Sequence, residues 1–306
     1  MDSNLLPGRC LLSGSSGMLG TALRRALAAR SMPLLQLVRR VPAADSEVQW
    51  NPAQSPAIAD SAALEGCAAA IHLSGASVAG GRWTAAYRRE MTNSRVDSTR
   101  ALATLLAGLR NPPQALLVAS AIGIYGNRGD ELLNEDSALG KGFLAGLCAQ
   151  WEAAAQPAVE AGIRVVHLRF GVVLGPGKGA LAQMLPLFRL GLGGTLGNGR
   201  QWMSWISLAD AVSAMLFALE TPSLAGALNL TAPHPVTNAQ FTTALARQLR
   251  RPAFLPAPAF ALRLALGQMA DEALLASARV VPGRLLHAGF RFEHDTVEKA
   301  LAAALA

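Results

Sequence analysis

Two tyrosines, three cysteines and three lysines are all that 306 residues contain of these types, and each scarcity closes off a kind of chemistry. Cys10, Cys67 and Cys148 are far apart and form no C-x-x-C pair, which excludes a disulfide framework and a zinc ribbon and leaves buried small hydrophobes. The five histidines, His72, His167, His234, His287 and His294, never fall at ligand spacing, so no metal site is expected. Long apolar runs are missing too: even the stretch from Leu255 to Ala270 is broken by Arg263, so no membrane partner is expected. The N-terminus, MDSNLLPGRC, lacks a basic segment followed by an apolar one, from which we expect no secretory signal and a cytoplasmic location. Basic residues outnumber acidic ones by 27 to 20. The arginines nevertheless come singly or in pairs such as Arg24-Arg25, Arg39-Arg40 and Arg88-Arg89, with no basic block or interleaved aromatics, so nucleic acid is not an expected partner.

What the chain does have is 51% apolar and only 15% charged residues, enough for a sizeable core. Short apolar runs alternate with amphipathic stretches through the first half, the pattern of a parallel sheet with helices on both faces. Strands are expected at Arg9 to Ser13, Leu34 to Val38, Ala69 to Leu73, Ala115 to Ala119 and Arg164 to Leu168. Between the first two, Met18, Leu19, Ala22, Leu23, Ala26 and Leu27 recur with a helical period opposite Arg24 and Arg25. Beyond Gly171 the texture changes to glycine and proline turns, VVLGPGKG and LGLGGTLGNG. We therefore divide the chain into residues 1–170, the main α/β domain, and 171–306, a smaller lobe. A helix from about Ile206 and a strand at Gly226 to Leu230 are expected to return to the main domain, so that 206–230 belongs with it.

The segment Ser13-Gly14-Ser15-Ser16-Gly17-Met18-Leu19-Gly20 places three glycines between a strand and a helix. One permits a tight turn, one lets backbone approach a pyrophosphate, one allows helix and strand to pack closely, and the N–H groups of Ser16, Met18 and Leu19 open the helix toward the negative charge. Strand, turn, helix and second strand together predict a doubly wound, Rossmann-type dinucleotide site. At the end of the second strand a site for NAD carries a carboxylate for the ribose hydroxyls, but here stand Arg39 and Arg40, suited to a 2′-phosphate. NADP(H) is the expected cofactor. The alternative is that both arginines merely mark the polar end of a strand.

With Gly14, Gly17 and Gly20 in the pattern G-x-x-G-x-x-G, the chain resembles the extended short-chain dehydrogenase/reductase superfamily. His72-Leu73-Ser74-Gly75-Ala76 resembles that superfamily's turn over the adenine, which implies cofactor contacts for Leu73, Ser74, Gly75 and Ala76. The run SAIGIYG from Ser120 and the segment LRFGVVLGP resemble two further parts of it. The combination GRWTAAYRR, NSRVDSTRAL, FLAGLCAQWE, MLPLFRLGLGG, GNGRQWMSWI and GFRF resembles the atypical sugar-nucleotide epimerase-like, or cell-division-inhibitor-like, group of the NAD-dependent epimerase/dehydratase family. That resemblance implies NADP(H) binding and assigns no reaction.

Reductases and epimerases of this superfamily move a proton with a Tyr-x-x-x-Lys pair on one helical face. Tyr87 is followed four residues on by Met91 and Tyr125 by Gly129, so the pair is absent. The helix that should carry it reads Phe143-Leu144-Ala145-Gly146-Leu147-Cys148, and Arg95 stands where an asparagine is usual. Ser120 remains as a hydroxyl expected beside the nicotinamide, with Ala121 as the competing match. For the proton relay the candidates are Tyr125, Lys141, Asp97, Glu131, Glu135 and Asp136, with Lys141 able to support a substrate oxyanion or simply to face solvent.

In nucleotide-sugar epimerases a stretch like Gly197 to Asp210 brings an arginine to the phosphates, and alignment on Asp210 puts Met203 in its place. Arg200, Trp202, Met203 and Trp205 are the expected substrate contacts, in a pocket with large apolar walls for a small apolar or aromatic carbonyl, unless the tryptophans only pack the lobe. Two readings follow: an NADP(H)-dependent oxidoreductase or epimerase with a changed proton relay, toward which the sequence leans, and a catalytically silent NADP(H)-binding sensor. A homodimer is compatible with either.

Overall fold

Strands buried on both faces are apolar along their whole length rather than alternately, and the middle of this chain follows that rule: all six residues of CAAAIH are buried, as are the first six of ALLVASA. The computed structural model describes residues 8–306, so the reading of MDSNLLPGRC falls largely outside the described residues. Its main layer runs β1 (Arg9–Ser13), α1 (Met18–Ala29), β2 (Leu34–Val38), β3 (Glu47–Gln49), β4 (Cys67–His72), α2 (Ala85–Ala107), β5 (Ala115–Ala121), α3 (Phe143–Ala153), β6 (Arg164–Phe170), α4 (Leu208–Glu220) and β7 (Gly226–Leu230). The seven strands form one parallel sheet in the order β7-β6-β5-β4-β1-β2-β3. α1 packs beside α4 and α2 beside α3. Leu23 and Leu27 of α1 are buried while Arg24 and Arg25 face solvent.

β1 and β2 have the expected bounds. β4 begins two residues early, at Cys67, and ends at His72, while β5 and β6 each run two residues further, to Ala121 and Phe170. The three-residue β3 was not expected: Glu-Val-Gln is too short to show a period, and it forms because the open edge of β2 offers unpaired backbone groups. The strand at Gly226–Leu230 pairs with β6 inside the main sheet.

The remaining elements build the lobe around a second core of Trp205, Phe188, Phe241 and Leu301, contributed by helices Gly179–Arg189, Asn238–Leu249 and Val297–Leu305 and the strand Trp205–Ser207. Within it Trp205–Ser207 pairs in parallel with Val172–Leu174, and pairing of Arg279–Val280 with Leu132–Leu133 joins it to the first part of the chain. Among the described residues no helix is long and apolar enough to cross a membrane.

Strand order reverses between β1 and β4, the switch point where open parallel sheets leave a crevice at their carboxyl ends. Two turns meet there without side chains between them. Gly14, at φ +72°, has no room for a Cβ, which would sit 2.7 Å from the carbonyl carbon of Leu73. A Cβ on Gly20 would run into the Gly14 carbonyl oxygen and lie 2.8 Å from Cα of Ser15. Gly20→Ala is therefore expected to force turn and helix apart and cost about 1–3 kcal/mol, a lowering of the urea midpoint at unchanged m-value.

Candidate functional site

Ser13 and His72 end β1 and β4 directly opposite one another in register. Both are wholly buried, and Ser13 Oγ lies 2.6 Å from His72 Nδ1. On the other side His72 Nε2 is 3.1 Å from Ser98 Oγ, whose own proton goes to the Ser94 carbonyl at 2.7 Å, and Ser74 Oγ donates to Ser13 Oγ at 3.1 Å. The directions are thereby fixed: Ser13 donates to Nδ1, and the neutral imidazole donates from Nε2 to Ser98. Burial lowers the His72 pKa to about 4, so the ring stays uncharged at neutral pH.

Gly17 opens α1 with extended backbone, and its N–H donates to the Gly14 carbonyl at 3.1 Å. No side chain caps this helix and its first turn carries no acid, so its amide dipoles point at the crevice unneutralised. A Cβ on Gly17 would touch protein no closer than 3.4 Å. Glycine at this position thus keeps open space outside the protein rather than room within it. Such an uncapped helix end behind a bare turn is the cradle that a pyrophosphate needs, and the residues present fit a dinucleotide.

The two arginines after β2 differ. Arg40 forms a forked pair with Glu47, at 2.8 and 2.6 Å, and Glu47 also accepts from the Ala43 amide at 2.7 Å. The hydrogen bond from Arg40, ahead of its charge, holds the Glu47 carboxyl below its usual value. Arg39 is exposed and makes no side-chain hydrogen bond or ion pair among the described residues. Of the two expected phosphate readers, Arg40 is thus paired with Glu47, and Arg39 is the guanidinium left without a partner among the described residues.

The expected catalytic hydroxyls are also committed elsewhere. Ser120, almost fully buried, donates to Glu152 Oε1 at 2.7 Å, and the Glu152 carboxylate is gripped by Arg169 through two bonds of 2.8 Å. Arg169 reaches the Tyr125 hydroxyl at 2.9 Å, which donates to Asn229 Oδ1 at 2.8 Å. Tyr125 has no exposed surface, and burial, outweighing the neighbouring Arg169, raises its pKa. It is a strut within the protein, out of reach of any substrate, which corrects its place among the relay candidates. Burial pushes Glu152 up, but the bonds and charge of Arg169 and the Ser120 hydroxyl more than offset this, and it stays ionised.

Where a Tyr-x-x-x-Lys pair would stand, α3 presents an apolar wall. Phe143 packs edge-on against Trp83 at 5.4 Å with Arg88 on its ring at 5.9 Å. Burial pushes the Cys148 thiol up to about 12. The start of α3 has no cap of its own, and Glu272 from the lobe accepts from the amides of Phe143 and Leu144 at 3.0 and 2.7 Å. Lys141 lies exposed just before α3, with no side-chain partner among the described residues. Of the other candidates, Glu131 pairs with Arg128 at 2.6 Å, Asp136 pairs with Arg284 at 2.9 Å, buried Glu135 accepts from the Asn229 amide, and Asp97 faces outward from α2.

In the lobe, Trp202 is half-buried, donates to Asp130 at 2.8 Å and carries the Arg279 guanidinium 4.3 Å above its ring. Met203 takes a bond from Asn238 on Sδ, and Arg200 is exposed. Trp205 has no exposed surface and packs the second core, so it is withdrawn from the substrate contacts. His72, Glu152, Glu272 and Arg279 were missed in the sequence. The glutamate of FLAGLCAQWE, an acid on an otherwise apolar helix, was the one available signal among them.

A model described as the NAD dependent epimerase/dehydratase family matches residues 10–230, and one described as a domain of unknown function matches 257–304. The chain is 46% identical over 290 residues to the epimerase family protein Mb2239 of Mycobacterium bovis, covering 95% of each. It is 34% identical to the human epimerase family protein SDR39U1, over 96% of this chain and 98% of the relative. The crystal structure of human SDR39U1 (isoform 2) with NADPH superposes with a TM-score of 0.89 at 32% identity, covering 97% of this chain and 98% of that one. A UDP-glucose 4-epimerase of Thermus thermophilus in complex with NAD shares the fold, with a TM-score of 0.73 at 19% identity over 97% of each chain.

The buried Ser13–His72–Ser98 chain of hydrogen bonds has a pH signature. Folded His72 titrates near 4 against an ordinary 6.5, so the unfolded chain takes up the proton first. Stability is whole above pH 6.5 and falls as pH drops toward 4, by roughly 3 kcal/mol in all. His167, also lowered chiefly by burial, acts in the same direction. His72→Asn is expected to flatten the dependence of the thermal midpoint on pH between 6.5 and 4.5 without abolishing it.

Proposed function

The chain belongs to the NAD dependent epimerase/dehydratase family, and we propose that it binds NADP(H) at the β1–β4 crevice and acts as an oxidoreductase or epimerase on a small carbonyl or hydroxyl substrate. The observation that carries this reading is the uncapped start of α1 behind Gly14, Gly17 and Gly20, with Arg39 just after β2 and without a side-chain partner among the described residues. Gly14 and Gly20 let the turn close, and Gly17 leaves the space in front of it. The amides of Ser16, Met18 and Leu19 take the pyrophosphate, Arg39 the 2′-phosphate, and the turn from Leu73 to Ala76 the adenosine side. The NADPH of the human relative supports this choice of cofactor.

The cofactor, when bound, supplies or accepts the hydride. The protein contributes an apolar wall of Phe143, Leu144 and Trp83 that excludes water and favours an apolar or aromatic substrate, with Trp202 on the lobe side. Lys141, beside the start of α3, is the group we assign to the substrate oxygen, where an ammonium stabilises developing negative charge. The second reading, a silent NADP(H)-dependent sensor, draws on the commitment of Ser120 and Tyr125 to the Glu152–Arg169 network.

Binding and turnover separate the two. Purified protein is titrated with NADPH and NADH and then supplied with a panel of aliphatic and aromatic aldehydes and ketones, following NADPH absorbance. Oxidation supports the enzyme, and tight NADPH binding with no oxidation across the panel supports the sensor. Arg39→Ala is expected to weaken NADPH about tenfold or more while leaving NADH within about twofold. Equal affinities of the unaltered protein for the two cofactors sink the 2′-phosphate assignment.

A further inference from the structure

Arg95 lies on α2 with 7% of its surface exposed, yet no carboxylate pairs with it among the described residues. Its hydrogen bonds go to two backbone carbonyls, Met91 at 3.1 Å and Ala76 at 2.8 Å. The Trp151 ring lies 5.1 Å from its guanidinium carbon, a partial compensation. Cys148, nearby on α3, offers no counter-charge because burial holds its thiol protonated. Removing a guanidinium from water without an anion is costly, and buried charges are ordinarily paired. Burial accordingly lowers the Arg95 pKa from its ordinary value. Arg169, by contrast, has Glu152 in a forked bond.

The position of this charge gives its meaning. A Cβ on Gly75 would sit 3.4 Å from the guanidinium carbon, and both polar groups of Ala76 are held by α2, its carbonyl by Arg95 and its amide by Ser94 Oγ at 3.0 Å. The same turn, at Leu73 and Ser74, is the one against which Gly14 closes. The guanidinium therefore stands directly behind the backbone that borders the crevice, in a low-dielectric setting where its field is weakly screened.

We propose that Arg95 is a positive charge held in reserve for the phosphates of the dinucleotide, destabilising the free protein and compensated when the cofactor binds. The proposal rests on the reading that a dinucleotide occupies the β1–β4 crevice. Arg95 acts through the turn as a positioning and electrostatic residue, and this role accounts for an arginine in the NSRVDSTRAL segment of α2, on the side that faces Trp151 of α3. Its contribution differs from that of Arg39: the exposed guanidinium is screened by salt, whereas the buried one is not.

The test compares three variants with the unaltered protein. Arg95→Gln keeps a donor for the Ala76 carbonyl and loses the charge, Arg95→Met loses both, and Arg95→Lys keeps the charge in a different shape. NADPH affinity is measured by calorimetry at 50 and 500 mM NaCl, and the thermal midpoint is taken without cofactor. For Arg95→Gln we expect a midpoint equal to or above that of the unaltered protein, NADPH affinity at least about tenfold weaker at both salt concentrations, and substantial recovery in Arg95→Lys. Affinity of Arg95→Gln within about twofold of the unaltered protein overturns the proposal, as does Arg95→Lys binding no better than Arg95→Gln. Should Arg95→Met fail to fold, the Gln and Lys pair decides alone. If the unaltered protein itself fails to bind NADPH, the cofactor reading has failed, an outcome distinct from either.

Discussion

The contact on which the site depends is backbone against backbone: Gly14 closing on the Leu73 carbonyl at the point where strand order reverses. No side chain can stand between these turns, so the carboxyl ends of β1 and β4 are held at the separation that a bare peptide allows. Ser13 and His72 lock the two strands just beneath it, and Ser94 and Arg95 fasten the far side of the Leu73 to Ala76 turn to α2. The two turns that border the crevice are thus tied together by protein contacts alone. Preorganisation of this kind lowers the ordering cost of binding.

Two electrostatic systems lie on either side of that crevice, and they are treated differently. Around the glycine turn, positive potential is left uncompensated: the helix start has no cap, Arg39 no partner and Arg95 no acid among the described residues. At β5 and β6, by contrast, Arg169 and Glu152 answer one another, and Ser120, Glu152, Arg169, Tyr125 and Asn229 are joined in one chain of short bonds. Hydroxyls that a reader of the sequence assigns to catalysis are spent in the second system. The start of α3, where the Tyr-x-x-x-Lys pair would stand, is left with the aromatic and aliphatic groups of Phe143, Leu144 and Trp83.

What was legible in the sequence is what is local. The glycine spacing, β1, β2 and the strand at Gly226–Leu230 are each carried by a few consecutive residues, and the structure has them at the expected positions. The residues whose surroundings the sequence did not show take those surroundings from a partner brought to them by the fold. Arg40 looked like a phosphate reader because Glu47 stands seven residues away across the edge of the sheet. Ser120 and Tyr125 looked catalytic because Glu152, Arg169 and Asn229 are brought to them only by strand order. Trp205 belongs to a core that exists only once three lobe helices meet. A residue type announces what chemistry it can do, while the partner that uses up that capacity is a property of topology.

Glu272 shows how the two parts of the molecule are geared. The start of α3 draws its cap from the lobe, so lifting the lobe from the sheet would leave the half-buried amides of Phe143 and Leu144 without their acceptor.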